Sequence, residues 1–253
     1  RMATQPLSYA LSGNGLVFGS SVDAVILHPL ARPAIDPQGL YNYLYFHMVP
    51  GPDTIYTGQK RLLPGEYLVF RKGRAETKKH WEMQFLEGQK RPFDELKQDF
   101  LRLLRSSVRE AASDQEVGAF LSGGTDSSTI AGILGEVGGR PARTYSIGFE
   151  ADGYDEMEYA RIAARHFSTE HHEYYVTPDD VVAAIPQIAG IFDQPFGNAS
   201  AVPAFYCARM ARADGLNRIL GGDGGDELFG GNERYAKQHI FSLYERIPSL
   251  LRK

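Results

Sequence analysis

An α/β fold, with a mostly parallel sheet covered by helices on both faces and a partial β-rich α+β segment before it, is what this sequence predicts. Three observations carry that reading. From Pro92 onward, strand-like and helix-like segments alternate, the pattern of a parallel sheet wrapped by helices. Two glycine-rich stretches, 121–128 and 221–231, each fall where a strand-like run gives way to a helix-like one. Before Pro92 the chain is written differently, as short apolar runs separated by Gly and Pro turns.

In chain order, 8–11 and 16–19 flank Gly13-Asn14-Gly15 and predict a β-hairpin. A short helix is expected over 22–28, closed by Pro29 and Pro33. A second is expected over 37–48, with Leu40, Tyr43, Leu44 and His47 at helical spacing. Strands are expected at 54–56 and 67–70, the latter just after the Pro64-Gly65 turn. Residues 71–92 are polar and charged, and read as a linker. Phe93, Leu96, Phe100, Leu103, Leu104 and Val108 then share one face of a long helix. Beyond it, strands are expected at 117–121, 144–149, 172–176 and 218–220. Helices are expected at 127–137, 155–167, 178–192, 201–213 and 226–236. The division expected is therefore 1–70, a linker over 71–92, and an α/β domain over 93–253.

Composition excludes several classes. A formal net charge of −4 leaves no broad basic field for nucleic acid or an anionic membrane. The cluster Lys72, Arg74, Lys78 and Lys79 is interrupted by Glu76 and reads as a solvated face. With Cys207 as the single cysteine, no internal disulfide can form, which suits a reducing compartment. No apolar run reaches membrane-spanning length, and a signal peptide is not expected. A cytoplasmic location is expected. His171 and His172, adjacent on a predicted strand, point to opposite faces and cannot easily share a metal.

The chemistry concentrates in the two glycine-rich stretches. In Leu121-Ser122-Gly123-Gly124-Thr125-Asp126-Ser127-Ser128, the glycines permit a tight strand-to-helix turn and leave its backbone open to a ligand. Unpaired N–H groups at the start of the next helix favour an anion there. Hydroxyls of Ser122, Ser127 and Ser128 add donors, and Asp126 offers an oxygen to Mg²⁺ bridging phosphates. No Lys follows the glycines, so this is not a Walker A loop, and the dinucleotide spacing of three glycines is absent. In Gly221-Gly222-Asp223-Gly224-Gly225-Asp226-Glu227, glycines surround two carboxylates, and Asp226 could share a Mg²⁺ with Asp126. EF-hand spacing is absent. The bland reading of the first stretch is a turn with Asp126 and Ser127 as helix caps, and that of the second a Ca²⁺-like Asp-rich turn or plain helix capping.

The first loop resembles the Ser-Gly-Gly-x-Asp-Ser loop of the ATP pyrophosphatases. Together with Tyr145-Ser146-Ile147-Gly148-Phe149, Tyr154-Asp155-Glu156, Glu158-Tyr159-Ala160 and the run from Gly222 to Gly231, it is similar to the synthetase domain of glutamine-hydrolysing asparagine synthetases. Val49-Pro50-Gly51-Pro52 and Leu63-Pro64-Gly65 resemble the end of that family's glutaminase domain. The resemblance implies that Leu121, Ile147, Gly221 and Gly222 line an adenosine pocket. It implies that Ser122, Gly123, Gly124, Asp126, Ser127 and Ser128 hold pyrophosphate, that Asp126 and Asp226 bind Mg²⁺, and that Asp223 and Asp226 act in catalysis. ATP, glutamine and a carboxylate acceptor are the implied small molecules, and a homodimer is the expected assembly.

Departures from the pattern are also present. Gly221 replaces a common serine, and Thr125 a usual aliphatic residue. Gln194 and Asn198 stand where many members carry acidic residues, so free aspartate is not the expected preferred acceptor. The family's N-terminal cysteine nucleophile and its later catalytic lysine are expected outside this stretch of chain. Two functions follow as expectations: an ATP-dependent amidotransferase, or a non-catalytic nucleotide-binding relative acting as an interaction module.

Overall fold

The computed structural model describes residues 2 and 4–231 apart from 32, 85–89, 114–115 and 151–154, together with 235, 237, 244 and 247. The chain divides into two units. The first comprises 1–90 and 179–202, the second 91–178 and 203–253.

In the first unit, β1 (Ser8–Ser12) and β2 (Gly15–Gly19) form the expected hairpin, and β3 (Gln59–Arg61) pairs antiparallel on the other side of β1. Helix α1 (Val22–Ile26) starts where Ser21 Oγ accepts the Ala24 N–H at 3.1 Å. Helix α2 (Pro37–Phe46) starts where Asp36 Oδ1 accepts the Gln38 N–H at 3.2 Å, with Pro37 in the first turn where a missing N–H does no harm. Two expectations fail here. Residues 54–56 form no strand, only an isolated bridge between Ile35 and Tyr56. The buried Thr54 hydroxyl turns back onto the Tyr56 N–H and carbonyl, a local alternative to ladder pairing. The expected linker contains β5 (Arg74–Lys79), paired antiparallel with β4 (Glu66–Arg71) through a turn in which Lys72 and Gly73 both have positive φ. Its charges sit on an exposed edge strand, where they keep the strand from further pairing.

The second unit opens with α3 (Phe93–Ala111) and continues β6 (Gly118–Phe120), α4 (Thr125–Gly138), β7 (Arg143–Phe149), α5 (Met157–Phe167) and β8 (Glu170–Val176). The chain returns to the first unit for most of α6 (Pro178–Ile191) and the first two residues of α7 (Ala201–Ala213). It then completes the second unit with the rest of α7, β9 (Ile219–Leu220) and α8 (Gly225–Phe229). Strands run in the order β8-β7-β6-β9, all parallel. Alternation along each strand fills both faces. Ala119 and Leu121 join α3, α4 and α5 in one core cluster, while Phe120, Tyr145 and Ile147 meet Cys207, Met210 and Ala211 of α7 in another. The predicted doubly covered parallel sheet is therefore what forms. Gly230, at φ 76°, ends α8, and residues 232–234 and 236 of the helix expected over 226–236 lie outside the described residues. Among the described residues, no helix is long and apolar enough to cross a membrane.

Candidate active site

Strand order reverses at β6, with β7 and β8 on one side of it and β9 on the other. The crevice beyond the carboxyl ends of the two strands at such a reversal is where open α/β sheets bind ligands. Both glycine-rich loops leave the sheet there: residues 121–124 follow β6, and 221–224 follow β9.

The first loop is tied together by hydrogen bonds between its own residues. Ser127 Oγ accepts the Ser122 N–H at 3.1 Å, lies 2.9 Å from Ser122 Oγ and donates to the Gly124 carbonyl at 3.3 Å. Gly123 takes φ +84°, and a Cβ there would run into the Tyr159 main chain at the start of α5. Only glycine meets both demands. Helix α4 begins at Gly124 with no side chain capping it, so the first-turn N–H groups are left facing the crevice. Ser128 Oγ is buried without a hydrogen-bond partner. An orphaned buried hydroxyl costs about 1–3 kcal/mol, a cost that a bound acceptor would remove.

The second loop packs its backbone against the first. A Cβ on Gly222 would lie 2.7 Å from Asp126 Cβ and 2.9 Å from the Ser127 nitrogen, and one on Gly225 would collide with the Asp126 carboxylate. The glycines are thus what lets the Asp126 carboxylate reach the second loop. The Asp226 carboxylate lies against Gly231, and Asp223 folds back toward Gly221, where a Cβ would meet its carboxylate. Among the described residues, Asp126, Asp223 and Asp226 hold no ion pair, and Asp223 and Asp226 are exposed.

Leu121 is 1% exposed, so its side chain belongs to the core and only its backbone edges the crevice, with its carbonyl accepting from Ser146 Oγ. Ile147 is half-buried in the second core cluster. Sequence reasoning passed over two contributors, Ser146 and Tyr159, although both lie inside the motif runs it singled out. Tyr154 of those runs lies outside the described residues. His171 and His172 do face opposite ways, toward Thr144 and the Tyr145 ring. Among the described residues, no group of three His, Cys, Asp or Glu is arranged to hold a metal. Gln194 accepts the Ile55 N–H at 2.8 Å, and Asn198 accepts the Ser200 N–H at 2.9 Å. Both side chains thus bond to main-chain partners.

A cavity at the amino ends of the strands, edged by Arg140, Arg143, Glu116 and Glu170, is a poorer candidate. Its charges pair with one another, Arg140 to Glu116 at 2.8 Å and Arg143 to Glu170 at 3.6 Å.

Residues 99–253 match the asparagine synthase family, and residues 1–81 match a glutamine amidotransferase domain. The chain is 32% identical over 258 residues to a putative glutamine-hydrolyzing asparagine synthetase 2 of Methanocaldococcus jannaschii, covering 100% of this chain and 50% of that protein. It is 33% identical over 252 residues to glutamine-hydrolyzing asparagine synthetase 1 of Bacillus subtilis, covering 98% of this chain and 39% of that protein. It thus spans half or less of the length of these curated relatives. Among solved structures, an NMN synthetase from Francisella tularensis superposes with a TM-score of 0.38 at 18% identity, covering 53% of this chain and 57% of that one.

Proposed function

This chain belongs to the asparagine synthase family, and on that premise we propose that it serves an ATP-dependent amidotransferase. A substrate carboxylate, aspartate or a related acid, attacks the α-phosphorus of ATP, and pyrophosphate leaves. Ammonia released from glutamine then displaces AMP from the acyl-adenylate, giving the amide. The observation that supports this best is the interlocking of the two glycine loops at the strand-order reversal, with the Asp126 side chain held against Gly222 and Gly225.

In this reading Ser122, Gly123, Gly124, Asp126, Ser127 and Ser128 bind the pyrophosphate portion of ATP, and the α4 N-terminus adds its free N–H groups. Leu121, through its backbone, Ile147, Gly221 and Gly222 border the adenosine. Asp223, exposed and with its carboxylate turned toward Gly221, is the acidic residue assigned to forming the acyl-adenylate. The donor set fits Mg²⁺. Asp126 and Asp226 offer hard carboxylate oxygens free of competing cations among the described residues. Bound there, the ion would offset the repulsion between a carboxylate and a triphosphate. A deeply buried thiol such as Cys207, 4% exposed with its pKa pushed up to about 12 by burial, is not the nucleophile for glutamine.

The test is isothermal titration of ATP with Mg²⁺ into the wild type and Asp126→Ala, followed by pyrophosphate release from the full-length protein across a panel of carboxylates. The expected outcome is Mg²⁺-dependent binding weakened at least about tenfold in the variant, the loss of one charge-assisted contact. Equal binding by both proteins would remove the metal assignment. Binding without pyrophosphate release for any acid would favour the non-catalytic alternative.

A further inference from the structure

Asp155 stands just before α5 and belongs to neither glycine loop, yet its carboxylate is used twice. Oδ1 accepts the Met157 N–H in the first turn of α5 at 3.2 Å, and Oδ2 accepts the Tyr175 hydroxyl at 3.3 Å. The first bond satisfies one of the N–H groups that a helix start leaves without a partner. Tyr175 is the last residue but one of β8, so this single side chain ties the head of α5 to the carboxyl end of the sheet. The Glu156 carbonyl continues the turn, accepting the Tyr159 and Ala160 N–H groups at 3.0 and 3.2 Å. Met157 and Ala160, each 1% exposed, pack the same turn into the core. One turn on, Arg161 holds Glu173 of β8 through two bonds, at 2.8 and 2.5 Å.

Tyr175 has room to reach Asp155 because its cross-strand neighbour is Gly148 of β7. A Cβ on Gly148 would lie 2.6 Å from the Tyr175 ring, so any larger residue would push the ring aside and its hydroxyl with it. The first glycine loop rests on the same turn of α5. A Cβ on Gly123 would lie 2.4 Å from the Tyr159 carbonyl carbon and 2.5 Å from the Ala160 nitrogen. Gly123 thus abuts main chain, which yields only if the whole turn moves. Every residue in this chain of contacts, from Gly123 to Tyr175, lies in the second unit.

We infer that Asp155 is a positioning residue for the first glycine loop: bonded to Tyr175, it fixes the opening turn of α5 on which Gly123 rests, and so holds the loop in its nucleotide-binding shape. The nucleotide half of this inference rests on the proposed function; the anchoring of α5 does not. Two readouts on the full-length protein keep them apart. Hydrogen exchange over 156–162 without nucleotide reads the anchor. It is expected to speed up about tenfold in Asp155→Ala, which loses both bonds to the carboxylate. In Tyr175→Phe, which keeps the ring over Gly148 and loses one bond, the expected factor is about three. Titration of Mg-ATP reads the loop, and Kd should rise by similar factors in the two variants. Asp155→Asn should recover most of both losses, because its carbonyl still accepts the Met157 N–H and its NH₂ donates to the Tyr175 hydroxyl oxygen. That recovery separates positioning from direct contact with the metal. A direct ligand of Mg²⁺ would leave Asp155→Asn binding as weakly as Asp155→Ala, and Tyr175→Phe binding as tightly as wild type. Either result would overturn the positioning role. Unchanged exchange in Asp155→Ala would overturn the anchor. Faster exchange with wild-type affinity for Mg-ATP would overturn the link from the turn to the loop. A wild type that binds no Mg-ATP would overturn the proposed function and that link with it, while exchange in the variants still decides the anchor.

Discussion

At the scale of single residues, burial decides which titratable groups can do chemistry. The His171 side chain is 10% exposed, with Nδ1 2.9 Å from Thr144 Oγ1 and Nε2 without a hydrogen-bond partner. Burial holds its pKa below the usual imidazole value, and the nearby Glu173, itself paired with Arg161, only partly counters this. Because the folded-state value lies lower, the unfolded chain takes up the proton first as pH falls. The stability this histidine supports is therefore full above about pH 6.5 and is lost progressively below it. His171→Gln should flatten the fall in Tm between about pH 7 and 5, measured by thermal melts at fixed ionic strength. An unchanged slope would assign the pH dependence to other groups. None of this was visible in the adjacent histidines of the sequence, because their neighbours come from elsewhere in the chain, Thr144 and Tyr145 of β7 and, for His172, Asp214 after α7. That the two point to opposite faces was visible, since strand alternation depends only on the backbone.

Elements defined by local chemistry were legible, and elements defined by partners were not. The glycine loops, their strand-to-helix placement and the amphipathic face of α3 follow from spacing alone. By contrast, β5 reads as linker because its charges hide a strand that pairs with β4 only through the Lys72-Gly73 turn. The expected strand at 54–56 reads well locally but loses its ladder to the Thr54 hydroxyl. Glycines that look alike in sequence also separate at this scale. Gly123 and Gly139 both take positive φ, +84° and +64°, but a Cβ on Gly139 meets open space, while one on Gly123 meets the Tyr159 main chain. Gly139→Ala should therefore cost only the strain of a left-handed alanine, about 1 kcal/mol, and leave ATP binding intact. Gly123→Ala should lower stability more and abolish detectable ATP binding, because the first loop must move off α5. Chemical denaturation and ATP titration of the two variants make the comparison. Similar behaviour in both would mean that conformation alone, and not the contact with Tyr159, sets the loop.

On the scale of the whole molecule, the sequence suggested a division into 1–70, a linker over 71–92 and 93–253, while the chain passes between its two units three times. The return of 179–202 to the first unit was illegible because it depends on pairings such as Ile55 with Gln194, 139 residues apart. The strand-order reversal was equally hidden, since register between β6 and β9 is a long-range fact. Yet every residue assigned to the nucleotide, from Leu121 to Ser128, Ile147 and 221–226, falls within the second unit. A ligand stabilises only the states that bind it, by about 2.7 kcal/mol at one hundred times its dissociation constant. Mg-ATP at that level should therefore slow hydrogen exchange in β6, β7 and the start of α4 by up to about 10²-fold, wherever exchange requires opening of the second unit. The β1–β2 hairpin, confined to the first unit, should exchange at its ligand-free rate. Peptide-resolved exchange with and without Mg-ATP distinguishes the outcomes. Equal slowing in both units would show that they open as one cooperative body, and slowing confined to the hairpin would place the nucleotide in the wrong unit.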